Sequence, residues 1–165
     1  MPRIAVLTCL MVCALWAHAD QPGNCTAKDG STRPDCPQAI AFFEKLQAAV
    51  KQDARDQVTS MVSFPMRTAL AGKRVLIHSQ RQFLVNYDRI FTAAVRCALL
   101  HAEKSSVWGR DQGFTFADGT IWWDAILPAG DKTSADAPGY ASKSPMKIIT
   151  VNNQGVSAPG CPATP

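Results

Sequence analysis

The chain has 165 residues, 47% of them hydrophobic, with 17 basic and 13 acidic side chains and a formal charge of +4. That length suits one domain with its own core, and a mild charge scattered among acids excludes the basic track that nucleic acid requires. Beyond the first residues no apolar run approaches the roughly 20 residues that span a bilayer, so no membrane span is expected.

The N-terminus carries Arg3, an apolar run over residues 4–16 and then Ala17-His18-Ala19. A positive start, a short apolar core and an A-x-A ending read as a secretory signal peptide, residues 1–19, cleaved after Ala19. Cys9 and Cys13 follow Thr8 and Val12, which are poor neighbours for lipid attachment. Cleavage removes only Arg3 among the charges and leaves 146 residues at +3. The product is expected in the periplasm or outside the cell.

Residues 20–36 are polar and rich in Gly, Pro, Asp and Thr, a flexible leader held by Cys25. From Pro37, the spacing of Ile40, Phe43, Leu46 and Val50 predicts an amphipathic helix with proline in its first turn. Val58, Met61 and Val62 continue the period in a second, short helix over residues 53–63, which Phe64-Pro65 ends because the residue before proline avoids helical angles. Residues 66–71 and 74–78 read as a hairpin around Gly72-Lys73.

Ser79-Gln80-Arg81-Gln82 has the form of a capping box and opens a third helix. Phe83, Tyr87, Ile90, Ala94, Cys97 and His101 mark its buried face, to about Glu103. Strands are then predicted over residues 106–108, 113–116 and 121–126, with Arg110-Asp111-Gln112 and Asp118-Gly119 as the turns between them. Residues 127–145 form a long loop with three prolines. Residues 146–151 are a last strand, and residues 154–165 a tail pinned by Cys161.

Helices followed by a run of strands indicate α+β. The expected architecture is three N-terminal helices packed on a curved antiparallel sheet of four to six strands, spanning residues 37–153 as a single domain. Four cysteines outlast the signal: Cys25, Cys36, Cys97 and Cys161. An even count in an exported chain reads as two disulfides. Three pairings exist, and Cys25 with Cys36 and Cys97 with Cys161 is favoured. The spacings of 11, 61 and 64 give no C-x-x-C pair, so no metal or other cofactor is expected.

Nucleotide, zinc-protease and serine-hydrolase signatures are all missing. His78 and His101 have no partner at metal spacing, and His101 at a helix end complements the helix dipole. Asp88, Asp111, Asp118 and Asp124 are the carboxylates available as a general base, but two are turn residues and Asp88 sits beside Arg89. No catalytic residue is assigned. An apolar pocket between the third helix and the sheet would be lined by Phe64, Tyr87, Phe91, Phe114, Phe116 and Trp123, with Arg67 for an anion, although aromatic residues at such spacings usually pack as core. Trp122 and Trp123 are adjacent on a strand and must face opposite ways. An exposed tryptophan beside Trp108, Arg110, Asp111 and Gln112 would suit a protein interface.

The segments Phe64-Pro65-Met66-Arg67, Tyr87-Asp88-Arg89-Ile90-Phe91-Thr92, Asp118-Gly119-Thr120-Ile121-Trp122-Trp123 and Lys147-Ile148-Ile149-Thr150-Val151-Asn152 resemble small exported bacterial domains of the nuclear-transport-factor-2-like superfamily. The resemblance covers about residues 38–153 and rests on hydrophobic and turn positions. It implies a cone-shaped α+β fold, on which small exported immunity proteins are known. The expected function is therefore a non-catalytic periplasmic protein-binding domain, an inhibitor or immunity protein acting on a toxic enzyme of the cell envelope. The alternative is an exported small-ligand pocket protein or a minor enzyme of the same fold.

Overall fold

The computed structural model describes residues 25, 33–116, 119–127 and 144–162. The signal peptide, most of the leader, Asp118 and nearly all of the long loop expected over residues 127–145 lie outside the described residues. The elements in order are α1 (Cys36–Lys51), α2 (Arg55–Ser60), β1 (Val62–Leu70), β2 (Lys73–Ile77), α3 (Gln80–Val85), α4 (Tyr87–Ile90), α5 (Ala93–His101), a 3-10 turn (Lys104–Ser106), β3 (Val107–Arg110), β4 (Gly113–Phe116), β5 (Ile121–Ala125) and β6 (Met146–Val151). The fold is α+β, and its sheet has six strands in the order β2-β1-β6-β5-β4-β3.

Two expectations about the sheet need correction. It is mixed, since β6 lies parallel to β1 while the other pairs are antiparallel, and it is not strongly curled. The parallel pair arises because the chain leaves β1 through a hairpin, three helices and the β3–β5 meander before β6 enters beside it. Parallel neighbours need a long crossover of this kind, which local sequence does not announce.

The third helix is also not one helix but three. Asn86 leaves the helical region at φ −106° and ψ 10°, and its side chain donates to the Gln82 carbonyl (2.9 Å). Thr92 opens α5 by accepting from Val95 N–H at 3.3 Å. Short polar side chains that bond their own backbone favour such breaks. The expected cap does form, with Ser79 Oγ accepting from Gln82 N–H (3.2 Å), while Gln82 Oε1 reaches one residue further back to His78 N–H (2.8 Å). The second helix is shorter than expected: Phe64-Pro65 lies inside β1, joined by a cis peptide. The β1–β2 hairpin turns on Ala71 and Gly72, both at positive φ (49° and 76°), the backbone a two-residue hairpin requires.

The helices pack on one face of the sheet. Phe43 of α1 lies 5.5 Å from Phe116 and 6.0 Å from Trp123, and Phe42 stacks on Trp123 at 5.9 Å. A second group of rings fills the other half of the core, with Tyr87 parallel to Phe91 at 5.3 Å and Phe83 edge-on to both. Gln47 ties α1 to the end of α5 by donating to the Leu99 and Ala102 carbonyls, each at 2.8 Å. The disulfides pair as expected: Cys25 with Cys36, and Cys97 with Cys161.

Asn153 completes the sheet where the parallel ladder stops. The last β1–β6 partners are Arg67 and Thr150, which leaves Ala69 without a strand neighbour on that side. The buried Asn153 amide takes the place of a peptide group: Oδ1 accepts from Ala69 N–H (3.2 Å), and Nδ2 donates to the carbonyls of Ala69 (2.8 Å) and Arg89 (2.7 Å).

Candidate functional site

Directly paired strand residues share a face, and one row crosses all six strands. Trp108 pairs with Thr115, Thr115 with Trp122, Trp122 with Thr150, Thr150 with Arg67 and Arg67 with Leu76. This row lies on the face opposite the helices. Trp123, one residue on from Trp122, is fully buried against α1, while Trp122 is half-buried, as the alternation required.

The two outer tryptophans meet edge to face at 5.4 Å. Arg110 lies over them, its guanidinium carbon 4.6 Å from the Trp122 ring centre and 5.6 Å from that of Trp108. Its strand partner is Gly113. Arg110 also donates to Gln112 Oε1 at 3.2 Å, and Asp111 stands exposed in the same turn. The sequence-predicted contact residues Trp108, Arg110, Gln112 and Trp122 are thus brought into one cluster with Asp111 at its edge.

Two open depressions adjoin this cluster. One, of about 750 Å³, is lined by Arg67, Arg110, Gln112, Trp122, Ile149 and Asn152 among others. The other, of about 590 Å³, shares Arg67, Thr150 and Asn152 and continues over Arg74 and Leu76. Three arginines and no carboxylate line the pair among the described residues. Leu76 is 45% exposed, one of few large apolar side chains so placed.

The residues expected to line an internal pocket are divided by the sheet. Tyr87, Phe91, Phe114, Phe116 and Trp123 are fully buried on the helix side, Tyr87 stacked on Phe91, Phe116 against Trp123 and Phe114 under the Arg33 guanidinium, and Phe64 packs edge-on to Phe83 at 6.2 Å. Arg67 points the other way, because it alternates with the buried Met66 on β1, and joins the outer face. Among the described residues the Tyr87 hydroxyl and Trp123 indole N–H have no hydrogen-bond partner. Burial pushes the Tyr87 hydroxyl above its ordinary pKa.

Two of the four carboxylates considered as bases, Asp88 and Asp124, are engaged by arginines. Asp88 on the surface accepts from Arg55 (2.8 and 3.0 Å) and Arg96 (3.1 Å), and the hydrogen bond from Arg55 is the main cause of its lowered pKa. Asp124 pairs with Arg33 at 3.0 Å, yet burial outweighs that charge and keeps its pKa raised. Arg33, near the end of the leader, bonds Asp35 (2.7 and 3.0 Å), donates to the Arg110 carbonyl (2.7 Å) and stacks on Phe114 at 4.2 Å, which ties this residue to the sheet.

The second disulfide has a neighbour that linear spacing hid. His101 follows Cys97 by four residues on one helix face, and its Nδ1 lies 3.4 Å from Cys97 Sγ and 3.8 Å from Cys161 Sγ. Their ligand atoms all fall within 4.8 Å of one another. With the sulfurs bonded to each other, neither is a thiolate that can hold a metal.

No family model matches the chain, and neither a curated protein nor a solved structure does. The two disulfides point to an oxidising, extracytoplasmic location. Among the described residues no helix is long and apolar enough to cross a membrane.

Proposed function

We propose that this is a non-catalytic exported domain, freed of residues 1–19 by cleavage after Ala19, that binds another protein through the sheet face opposite its helices. The observation that carries the reading is the Trp108–Trp122–Arg110 cluster beside Arg67 and Arg74. Tryptophan and arginine dominate binding hot spots, and a face lined by arginines complements an acidic partner surface. A six-stranded sheet backed by helices that two disulfides tie to the leader and the tail presents these groups with little ordering cost. The role proposed is that of an inhibitor or immunity protein neutralising an enzyme that attacks the cell envelope. The order of helices, hairpin, helices and strands suits the resemblance to the nuclear-transport-factor-2-like superfamily.

A second reading takes the same depression as a site for a small anionic or apolar ligand, because its size falls within the usual range of ligand sites. One experiment separates the two. Mature protein is immobilised and exposed to envelope extract, and captured proteins are assayed for enzymatic inhibition alongside the variants Trp122→Ala and Arg110→Glu. The first reading expects an acidic partner of micromolar or tighter affinity, weakened about 30-fold or more by either substitution, the scale of a hot-spot residue. Capture that survives both substitutions refutes the assignment of this face. Retention of a small anion in place of any protein favours the second reading.

A further inference from the structure

We propose that Cys97–Cys161 is an exchange-competent disulfide that takes electrons from a dithiol, with His101 serving the departing Cys97 sulfur. Access, a proton donor and room for a reactant converge on it.

The first is access. Cys25 and Cys36 are buried, at 1% and 6% exposure, whereas Cys97 and Cys161 are half-buried and His101 is exposed. The second is the proton. His101 Nδ1 is 2.9 Å from the Cys97 carbonyl, and a carbonyl only accepts, so Nδ1 carries hydrogen. The same N–H faces Cys97 Sγ at 3.4 Å. The third is room for a reactant. A hollow of about 420 Å³ opens beside His101, walled by Ala98 and Glu103 on one side and by Ser157, Ala158 and Pro159 of the tail on the other.

A thiolate of the dithiol attacks Cys161 Sγ, the S–S bond breaks, and its electron pair goes to Cys97 Sγ. The Nδ1–H of neutral His101 hydrogen-bonds the new thiolate; the imidazolium form transfers its proton and is left neutral, with hydrogen on Nε2. The second sulfur of the dithiol, its proton lost to solvent, then attacks the dithiol's first sulfur in the mixed disulfide, expels Cys161 as thiolate and closes the dithiol's disulfide. Two electrons pass from dithiol to protein, the dithiol's two protons go to solvent, and the Cys97 and Cys161 thiolates take up protons from imidazolium His101 or from solvent. A hydrogen-bond donor at the leaving sulfur speeds such exchange because a better-stabilised thiolate leaves faster. Opening the bridge unties the tail from α5.

The test uses the native mature protein with limiting dithiothreitol, quenched over time with N-ethylmaleimide and read by peptide mapping. Cys97 and Cys161 are expected to label at least about tenfold faster than Cys25 and Cys36, which report global opening. His101→Gln, an exposed position, is expected to slow the first pair about fivefold or more and leave the second unchanged, with imidazole added to the buffer restoring part of the rate. Equal rates for the two bridges overturn the proposal, as does a His101→Gln protein whose Cys97–Cys161 rate matches the unsubstituted chain.

Discussion

Replacing Asn153 by alanine removes three hydrogen bonds at once and leaves Ala69 N–H, Ala69 C=O and Arg89 C=O without their partner. Asn153 is only 6% exposed and Ala69 only 9%, so water has little access to repair the loss. At roughly 1 kcal/mol net for each such bond, Asn153→Ala is expected to cost about 3 kcal/mol, a large share of the 5–15 kcal/mol that typically holds a domain. Asn153→Asp sharpens the argument. Its carboxylate still accepts from Ala69 N–H but turns an oxygen toward two carbonyls that need a donor, so it is expected to be no more stable than the alanine variant. Urea titration of the disulfide-intact proteins measures both, with an unchanged slope showing that only stability has moved. A loss below about 1 kcal/mol for alanine, or an aspartate variant as stable as the parent, would refute the view that this amide substitutes for a missing strand partner.

Three further outcomes are expected. Gly113→Ala places a Cβ 2.5 Å from the Trp123 carbonyl at φ +110°, and is expected to cost at least about 2 kcal/mol by thermal denaturation. Arg33→Met leaves Asp35 buried without its cation and is expected to cost about 2–3 kcal/mol at neutral pH; because burial holds the Asp124 pKa above its unfolded value, the deficit should be largest where that carboxylate is ionised and shrink as acid protonates it, which melting curves across pH 3 to 7 will show. Asp88 has the opposite sign. Its pKa is lowered by Arg55 and Arg96, so its contribution is present above the ordinary carboxylate value and lost below it, and the melting temperatures of Asp88→Asn and the parent should converge in acid and separate in favour of the parent near neutrality.

Features set by near neighbours in sequence were legible. The Ser79 cap, the opposed faces of Trp122 and Trp123 and the strands after Ser106 follow from local rules of hydrogen bonding and period. Trp108 and Trp122 lie on segments read as strands, where alternation fixes a face, whereas Arg110 was expected in the turn and is instead the last residue of β3. Arg67 was not. Its face depends on whether residues 62–65 belong to a helix or to β1, and Phe64-Pro65 reads as a helix stop when it is a strand interior. Asn86 and Thr92 carried a readable signal, since both residue types cap helices, but a continuous apolar stripe from Phe83 to His101 masks two breaks that keep the buried face in line. Arg33 and Asn153 act across 91 and 84 residues of chain, and no local pattern encodes a partner that far away.

The last strand to be synthesised occupies the middle of the sheet. With β6 between β1 and β5, the β1–β2 hairpin and the β3–β5 meander share no strand contact until residues 146–151 arrive, so a nascent chain halted before Met146 has two separate ribbons, each with an open edge. Small two- and three-stranded pieces are marginal in water, and joining them requires closing a loop of more than half the chain, which is slow. A sheet built in this order stays open until residues 146–151 have been made. Under the export proposed above, that delay would keep the polypeptide unfolded for its passage across a membrane.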